Sequence, residues 1–326
     1  MGEYPTTLRE FEDSFSTEGA CGEYWFRLRW PDGFICPRCG MHGGWSAKSG
    51  KTVCSGCRFG TTVTAGTIFQ DSHQLLTTWF RAMWWMTNQK TGLSGLGLQR
   101  LLGLGSYRAA WMMLHKLRSA MIRPGRDRLW GTVEVDEAYV GGLEEGVRGR
   151  HTEKKYITIV AAQEDGLGIG RIRMSQIDDA SAASLHGFVN ATVEPGSTIR
   201  TDEWRGYQGL EAKGYRHEVT PIKRSGKQAH ELLPRVHKVI SLFKRWMLET
   251  HQGAISHEHL ASYLNEFVFR FNRRRSAHRG NLFLRLAQQA VAVEPVTACW
   301  PDQRRPARAN PEAQDIGVGV VKCIPH

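Results

Sequence analysis

Two Cys-x-x-Cys pairs constrain the N-terminal part of this 326-residue chain more than any other feature. Cys36 and Cys39 form the first pair, Cys54 and Cys57 form the second, and fourteen residues lie between them. A structural zinc site takes four tetrahedral ligands, with zinc–sulfur distances of about 2.3 Å, and four thiolates leave no position for water. The spacing therefore predicts a zinc ribbon holding a structural Zn²⁺ ion, with four unrelated buried thiols as the alternative.

The other cysteines and the apolar pattern limit the class of protein. Cys21, Cys299 and Cys323 have no partner at ligand spacing, so we expect no metal-binding role for them. The N-terminus lacks the apolar stretch of a secretory signal, and no run approaches about 18 apolar residues. These features predict a cytoplasmic protein with reduced thiols and no membrane partner.

The charge of the chain indicates its partner. Lys and Arg number 43 against 32 Asp and Glu, which gives a net charge of +11 at pH 7 with histidine neutral. Such an excess favours a polyanion, and nucleic acid is the leading candidate. A solvated basic surface would give the same excess, so charge alone does not decide between them.

The region after the cysteine pairs has a helical pattern. Residues 75–88 carry one apolar stripe, which we expect to pack in a core rather than to stack on bases. A second helical stretch follows Ser94, glycines break the pattern at residues 103–105, and Ser106 can cap a third helix that runs to Met121. The order helix, short glycine turn, helix is typical of a helix-turn-helix, although an ordinary helical hairpin is the alternative.

The third helix has two predicted faces. The spacing of one set of residues predicts a buried face: Ala110, Met113, Leu114, Leu117 and Met121. A second set is expected to lie largely outside that face: Tyr107, Arg108, Trp111, His115 and Arg118. In a helix-turn-helix the second helix enters the major groove of DNA, and these side chains suit that contact.

Beyond Pro124 the pattern changes to strands and helices. Three strands are predicted at residues 132–140, 156–162 and 168–174, followed by a helix at 179–191 and a short strand at 197–201. Residues 216–220 are a candidate fifth strand, and helices are predicted at 234–250 and 257–271. This order predicts an α/β domain with a mixed sheet flanked by helices.

Two aspartates stand out in this domain. Asp136 lies inside the first strand, in the sequence Val135-Asp136-Glu137, and Asp202 follows the fourth strand. A buried carboxylate is costly unless it is paired or bound to a metal, which favours a functional role for Asp136. Asp202 could also cap a helix. Carboxylates from two strands can share divalent cations such as Mg²⁺ or Mn²⁺.

A predicted helix contributes the next candidates. His237 and Lys244 are seven residues apart, so a helix returns them to nearly the same face, about two turns apart. One of them could lie at the metal site while the other contacts a DNA phosphate.

The chain resembles the insertion-sequence transposases that join an N-terminal zinc ribbon to an RNase H-like core. Their catalytic signature is Asp, Asp, a variable residue and Lys. The matching stretches are residues 33–40, 133–142, 201–207, 237–253 and 263–274. The resemblance implies that Asp136 and Asp202 are the two acidic residues, that His237 holds the variable position, and that Lys244 is the lysine.

The histidine departs from an all-carboxylate set. Magnesium prefers oxygen ligands and imidazole suits softer ions, so three roles stay open for His237. It could bind Mn²⁺, orient a metal-bound water, or position DNA while the aspartates bind metal. Four glutamates are alternative third ligands: Glu137, Glu203, Glu231 and Glu249.

The resemblance further implies a transposase that binds the terminal inverted repeats of its element. It would cut one DNA strand and join the freed 3′-hydroxyl to target DNA, both by metal-dependent phosphoryl transfer. Joining two ends implies at least a dimer on DNA, acting at the nucleoid. The alternatives are a DNA-binding regulator with a silent core and a metal-dependent nuclease.

A basic run near the end of the core is expected to hold DNA phosphates, with a solvated charge run as the alternative. It comprises Arg270, Arg273, Arg274, Arg275 and Arg279. The predicted domains are a zinc-ribbon segment (1–68), a helix-turn-helix region (69–125), the RNase H-like catalytic domain (126–290) and a poorly ordered tail (291–326).

Overall fold

The computed structural model describes residues 4–123, 125–141, 155–253 and 256–295. The chain divides into two compact units, one of Met1–Arg123 with Ser276–His326 and one of Pro124–Arg275. Most of the predicted tail and two of the isolated cysteines, Cys299 and Cys323, lie outside the described residues.

The first unit combines helices with a small sheet. Its helices are α1 (Leu8–Ser14), α2 (Glu18–Arg29), α3 (Leu76–Asn88), α4 (Gly95–Leu102), α5 (Tyr107–Ser119) and a C-terminal helix (Gly280–Ala292). Its strands are β1 (Gly44–Ser46), β2 (Thr52–Cys54) and β3 (Gly60–Thr61), paired antiparallel in that order.

Aromatic rings form the core of this unit. Phe283 of the C-terminal helix lies 5.5 Å from Phe11 and 5.8 Å from Phe80, measured between ring centroids. Gly280 begins that helix so close to Pro5 that a Cβ atom there would lie 1.7 Å from the Pro5 carbonyl oxygen. The apolar stripe of α3 is buried, which confirms the prediction that it packs in a core: Leu76, Trp79, Phe80, Met83 and Trp84.

Helices α4 and α5 have the predicted order and caps. The Ser94 and Ser106 side chains accept hydrogen bonds from the N–H groups of Gly97 and Ala109, respectively. Gly103 ends α4 with a φ of 61°, a left-handed conformation that glycine adopts without steric cost. The predicted apolar face of α5 is buried, as its spacing indicated: Ala110, Met113, Leu114, Leu117 and Met121.

The second unit is a five-stranded mixed sheet with helices on both faces. The strands are β4 (Thr132–Gly141), β5 (Lys155–Asp165), β6 (Gly168–Ile177), β7 (Thr198–Thr201) and β8 (Arg216–Val219). Their spatial order is β6-β5-β4-β7-β8, with antiparallel pairing from β4 to β6 and parallel pairing from β4 to β8. The candidate fifth strand is therefore confirmed, and so is the mixed α/β class.

Helices complete this unit. They are α6 (Ala182–Thr192), α7 (Ile222–Ser225), α8 (Ala229–Leu232), α9 (Pro234–His251) and α10 (His257–Asn272). Helix α6 begins three residues later than predicted, because Ser181 caps it and the Asp179 carboxylate binds Ser181 and Ser184 ahead of the first turn.

Alternation along β4 separates the two cores of the sheet. Val133 and Val135 pack in a cluster with residues of α6, whereas Ala138 and Val140 pack with residues of α9 and α10. Because side chains alternate along a strand, the even-numbered residues of β4 face α9. Across the described ranges, we find no helix long and apolar enough to cross a membrane.

Candidate active site and zinc ribbon

Asp136 and Asp202 lie on neighbouring strands, just beyond the end of their parallel pairing. Strands β4 and β7 pair from Thr132 and Thr198 to Glu134 and Arg200. Asp136 lies two residues beyond Glu134 in β4, and Asp202 lies two residues beyond Arg200, directly after β7. The charges of both aspartates raise the pKa of the buried Tyr207, so the two carboxylates lie in the same part of the unit.

Each aspartate uses one carboxylate oxygen in a local hydrogen bond. Asp136 Oδ1 accepts from the N–H of Glu137 at 2.8 Å, and Asp202 Oδ1 accepts from the N–H of Trp204 at 3.0 Å. The second bond fixes the turn that leads into a short 3-10 helix (Arg205–Tyr207), whose N-cap is Trp204. Asp202 therefore supports this turn without being the N-cap of a helix.

Helix α9 places His237 against Asp136. His237 Nε2 lies 3.4 Å from Asp136 Oδ2, and both side chains are mostly buried. Within the described part of the chain, this buried nitrogen has no hydrogen-bond partner of acceptable geometry. Burial lowers the pKa of His237, and the charges of Glu134 and Asp202 oppose that shift. The lowered pKa favours the neutral imidazole at pH 7, which is the form that binds metals.

Lys244 lies two turns further along α9, on an exposed part of the helix. Partial burial lowers its pKa, Lys155 lowers it further, and Asp136 raises it. Lys244 also contributes to the lowered pKa of His237. The structure thus places all four residues of the predicted signature around one end of the sheet.

The donor atoms suit a divalent cation that tolerates nitrogen, because two carboxylates and an imidazole offer oxygen and nitrogen ligands. The orphaned Nε2 of His237 beside Asp136 is the observation that supports this fit. The ligand atoms of the two aspartates and His237 are farther apart than those of a closed metal site. In the part of the chain that the structure describes, only the four ribbon cysteines have ligand atoms all within 4.8 Å.

Glu134 lies buried in β4, two residues before Asp136, and is not among the residues predicted for this site. Its carboxylate is 1% exposed and accepts hydrogen bonds from the N–H groups of Arg235 and Val236, at 2.7 and 2.9 Å. The Arg235 guanidinium binds its other oxygen at 3.0 Å. A signal was present, because Glu134 lies between Val133 and Val135, and the cost of burying a carboxylate applies to Glu134 as much as to Asp136.

The four alternative glutamates differ in their placement. Glu137 points to the opposite face of β4 from Asp136 by alternation. There it lies beside the buried Tyr207, whose pKa is raised well above its usual value, first by burial and then by Glu137. Glu231 is exposed and closes the cap of α8 by accepting from the Gln228 N–H. Glu249 is exposed near the far end of α9, and Glu203 is half-buried beside Asp202.

The four cysteines converge as predicted. Their Sγ atoms all lie within 4.8 Å of one another, with 3.6 Å between Cys36 and Cys57 and 3.7 Å between Cys39 and Cys54. A tetrahedron with zinc–sulfur distances of about 2.3 Å has sulfurs about 3.8 Å apart, so this cluster fits Zn²⁺ without rearrangement.

The two cysteine knuckles have the same backbone pattern. Cys36 and Cys54 both accept, through their carbonyls, from the N–H four residues later, which belongs to Gly40 and Arg58. Both of these residues have left-handed φ values, 72° and 60°. Arg58 adopts this strained conformation where the first knuckle has glycine, which shows that the ribbon fixes the shape of its second knuckle.

The predicted exposure of the candidate DNA-reading residues of α5 is wrong for three of the five. Tyr107 and Arg108 are exposed, but Trp111, His115 and Arg118 are 8%, 7% and 1% exposed. Together with the apolar face, the buried arc of α5 spans about 200° at 100° per residue. The spacing of the apolar residues predicted the centre of this buried arc but did not predict how many neighbouring residues are buried with it. The Trp111 and His115 rings stack at 3.8 Å between centroids.

The arginine run is also more structural than predicted. Arg270 is 9% exposed. Arg273 and Arg274 lie over the rings of Phe269 and Phe271, and each donates hydrogen bonds to backbone carbonyls of its own unit. Arg275 is exposed and pairs with Asp165 at 2.6 Å. Contact of these arginines with DNA phosphates stays a prediction, and the structure leaves Arg275 as the most exposed of the four.

Comparison with known proteins identifies two domains. The chain matches a transposase zinc-ribbon domain over residues 16–59 and an ISXO2-like transposase domain over residues 128–272. An uncharacterized protein in transposable element ISH50 of Halobacterium salinarum is 24% identical over 281 residues, which cover 79% of this chain and 92% of that protein.

Solved structures with some similarity are also known. The catalytic core domain of BIV integrase is 14% identical with a TM-score of 0.31, covering 47% of this chain and 93% of that chain. The Mos1 strand transfer complex is 12% identical with a TM-score of 0.27, covering 65% of this chain and 75% of that chain. Both family domains occur in the order that the sequence predicts. The chain is therefore similar to transposases in two separate regions, a zinc ribbon at residues 16–59 and an ISXO2-like transposase domain at residues 128–272.

Proposed function

We propose that the chain is an insertion-sequence transposase, that it binds the terminal inverted repeats of its element, and that it cuts and joins DNA at a site formed by Asp136, Asp202, His237 and Lys244. The observation that supports the proposal is the His237 imidazole, which lies 3.4 Å from Asp136 and whose pKa is raised by the charge of Asp202 against the effect of burial. No packing role explains two carboxylates and an imidazole at one end of a sheet.

Each residue of the site has a distinct part in this proposal. Asp136 and Asp202 would hold Mg²⁺ or Mn²⁺ through their carboxylate oxygens. His237 would add a neutral nitrogen ligand. Such ions, when bound, activate a hydroxyl nucleophile and stabilise the leaving oxygen of an in-line displacement. Lys244 would contact the DNA phosphate next to the reacting one, as an exposed cation beside the site.

The exposed side of α9 extends the basic surface from this site. Lys238, Lys244 and Arg245 are all exposed, whereas Val239 and Phe243 on the other side of the helix are buried. Exposed lysines and arginines neutralise phosphates regardless of sequence. We propose that DNA lies along this side of α9 and that Arg275 adds a further contact.

The test of the function uses the chain with DNA from both ends of its own element and a circular target. In Mg²⁺ or Mn²⁺, we expect nicks at the element ends followed by joined products, and EDTA should stop both reactions. Cleavage without joining would instead identify a nuclease. Specific binding without cleavage in either metal would identify a regulator with a silent core. Both results would contradict the proposal.

Replacing His237 separates its three candidate roles. If His237 is a metal ligand, His237→Ala should lower the joining rate about 100-fold or more, by analogy with the loss of partners at other metal sites. His237→Glu should retain activity and shift the preference from Mn²⁺ towards Mg²⁺, because magnesium prefers oxygen ligands. The measurement is the initial joining rate against the concentration of each metal. A His237→Ala variant with the wild-type rate would show that the third ligand lies elsewhere.

The DNA-reading role of α5 now rests on its first turn, which is exposed in the structure. Arg108→Ala should weaken binding to the inverted repeat by about 1–3 kcal/mol if Arg108 contacts a base edge, and should relax specificity at that base pair. Arg123→Ala, an exposed arginine beyond the end of α5, is the matched control. Equal affinity of Arg108→Ala and wild type for the repeat, measured at fixed salt, would exclude this helix as the reader.

A further inference from the structure

The structure assigns a positioning role to Glu134, a residue outside the catalytic signature. We propose that its buried carboxylate holds the start of α9 against β4 and so sets His237 and Lys244 at the correct distance from Asp136. This inference rests on the proposed function, since it concerns the same site.

The residue before α9 provides no side-chain cap for the start of the helix. The first N–H groups of a helix have no partner inside the helix, and Leu233, which precedes α9, has no polar side chain to cap them. Glu134 supplies the cap from the sheet, because its Oε2 accepts from the N–H groups of both Arg235 and Val236. A negative charge at this end also interacts favourably with the helix dipole.

Glu134 lies close in sequence and in space to the residues of the proposed site. Glu134 and Asp136 lie on the same face of β4, about 7 Å apart along the strand. Val236, which Glu134 binds, is the residue before His237. One side chain therefore connects the strand that carries Asp136 to the helix that carries His237, and a shift of the helix start would move the imidazole directly.

The hydrogen bonds of Glu134 leave it unsuited to bind a metal ion. Both of its oxygens are occupied by three donors, and the residue is 1% exposed. Arg235 is held in turn by Glu164 at 2.7 Å and by the carbonyls of Gly166 and Gly168. The three direct hydrogen bonds to Glu134 fix the carboxylate in its capping position and keep it from turning towards a cation.

Glu164 provides a matched control for the experiment. Glu164→Gln removes a carboxylate that binds the same arginine but does not cap α9. Glu134→Gln keeps an oxygen that can accept from the helix, so the variant should fold, but it loses the charge and turns an amide N–H₂ towards the guanidinium. Thermal unfolding checks that both variants are folded.

The two variants are compared by joining rate against Mn²⁺ concentration, by DNA affinity and by hydrogen exchange at the start of α9. For Glu134→Gln we expect a rate about 10- to 100-fold lower and a higher half-saturating Mn²⁺ concentration, the range seen when outer-shell partners of metal sites are lost. Exchange of the first α9 amides should accelerate, with DNA affinity unchanged. Glu164→Gln should resemble wild type in all of these measurements.

Two results would overturn the inference. The first is a Glu134→Gln variant with wild-type rate and Mn²⁺ dependence, whatever its exchange. The second is an equal loss in Glu164→Gln, which would make the arginine network as a whole responsible. If wild type itself does not join DNA, the proposed function fails. In that case, the role of Glu134 is tested by Mn²⁺ binding in the absence of DNA, measured by electron paramagnetic resonance. Wild-type Mn²⁺ affinity in Glu134→Gln would then overturn the inference.

Discussion

Replacing Asp136 or Asp202 by asparagine is expected to lower the rate of strand joining at least about a thousandfold, equivalent to about 4 kcal/mol in the activation barrier. Asparagine keeps the carbonyl oxygen that accepts the local hydrogen bond from Glu137 or Trp204. The fold around each position should therefore survive. Each variant loses the charge that would hold a divalent cation. The strand-joining rate should therefore fall, while the affinity for DNA should stay unchanged.

Asp165→Asn is the matched control for these two variants. Asp165 lies in the same unit and is paired with Arg275, but both side chains are more than half exposed. Surface pairs of this kind contribute between about 0 and 1 kcal/mol. We expect wild-type joining from Asp165→Asn. Full activity in either Asp136→Asn or Asp202→Asn, measured with the same DNA ends, would show that the proposed site is wrong.

The two aspartates could be predicted because each breaks a local pattern. Asp136 lies at a half-buried position inside a strand, and Asp202 directly follows a strand. Their adjacency could not be read from the sequence, because it depends on the pairing of β4 with β7, which are separated by two strands and a helix along the chain. Register between distant strands follows from packing of the whole sheet rather than from any local signal.

Glu134 shows a second limit of local patterns. The same strand contains two buried acids, and the sequence does not say which one binds metal and which one binds protein. That distinction depends on where α9 begins relative to β4. Glu134 binds the start of α9, and the residues in this contact are about 100 positions apart in the sequence. The cost of burying a charge identifies both residues as important, but only tertiary structure shows what compensates it.

The buried sides of helices were predicted with more success than their exposed sides. The apolar face of α5 is buried as its spacing indicates, yet Arg118 is buried as well. Long side chains with a polar end can cover apolar surface or enter a core when their charge finds a partner. Periodicity therefore identifies what must be buried and gives no assurance that the remaining residues are available to DNA.

Loss of one ribbon cysteine is the other change from which we expect a large effect. Cys54 is fully buried, its Sγ lies 3.7 Å from Cys39 Sγ, and it accepts from the Gly56 N–H. Cys54→Ser should abolish stoichiometric zinc binding, because a hydroxyl is a poor substitute for a thiolate ligand. Structural zinc contributes about 10–16 kcal/mol of apparent binding energy in zinc-finger peptides, so the small sheet of β1, β2 and β3 should unfold with it.

Cys21→Ser separates the loss of zinc from the loss of any buried thiol. Cys21 is also fully buried, but its Sγ contacts the Phe15 carbonyl at 3.7 Å instead of a metal site, and burial raises the pKa of its thiol to about 12. Metal analysis of the purified chain should give one zinc per chain for wild type and Cys21→Ser, and none for Cys54→Ser. Hydrogen exchange should show unprotected amides over residues 44–61 only in Cys54→Ser. One zinc per chain in Cys54→Ser would contradict the site, because three remaining thiolates would then suffice and the fourth position would be open, as in a catalytic rather than a structural zinc centre.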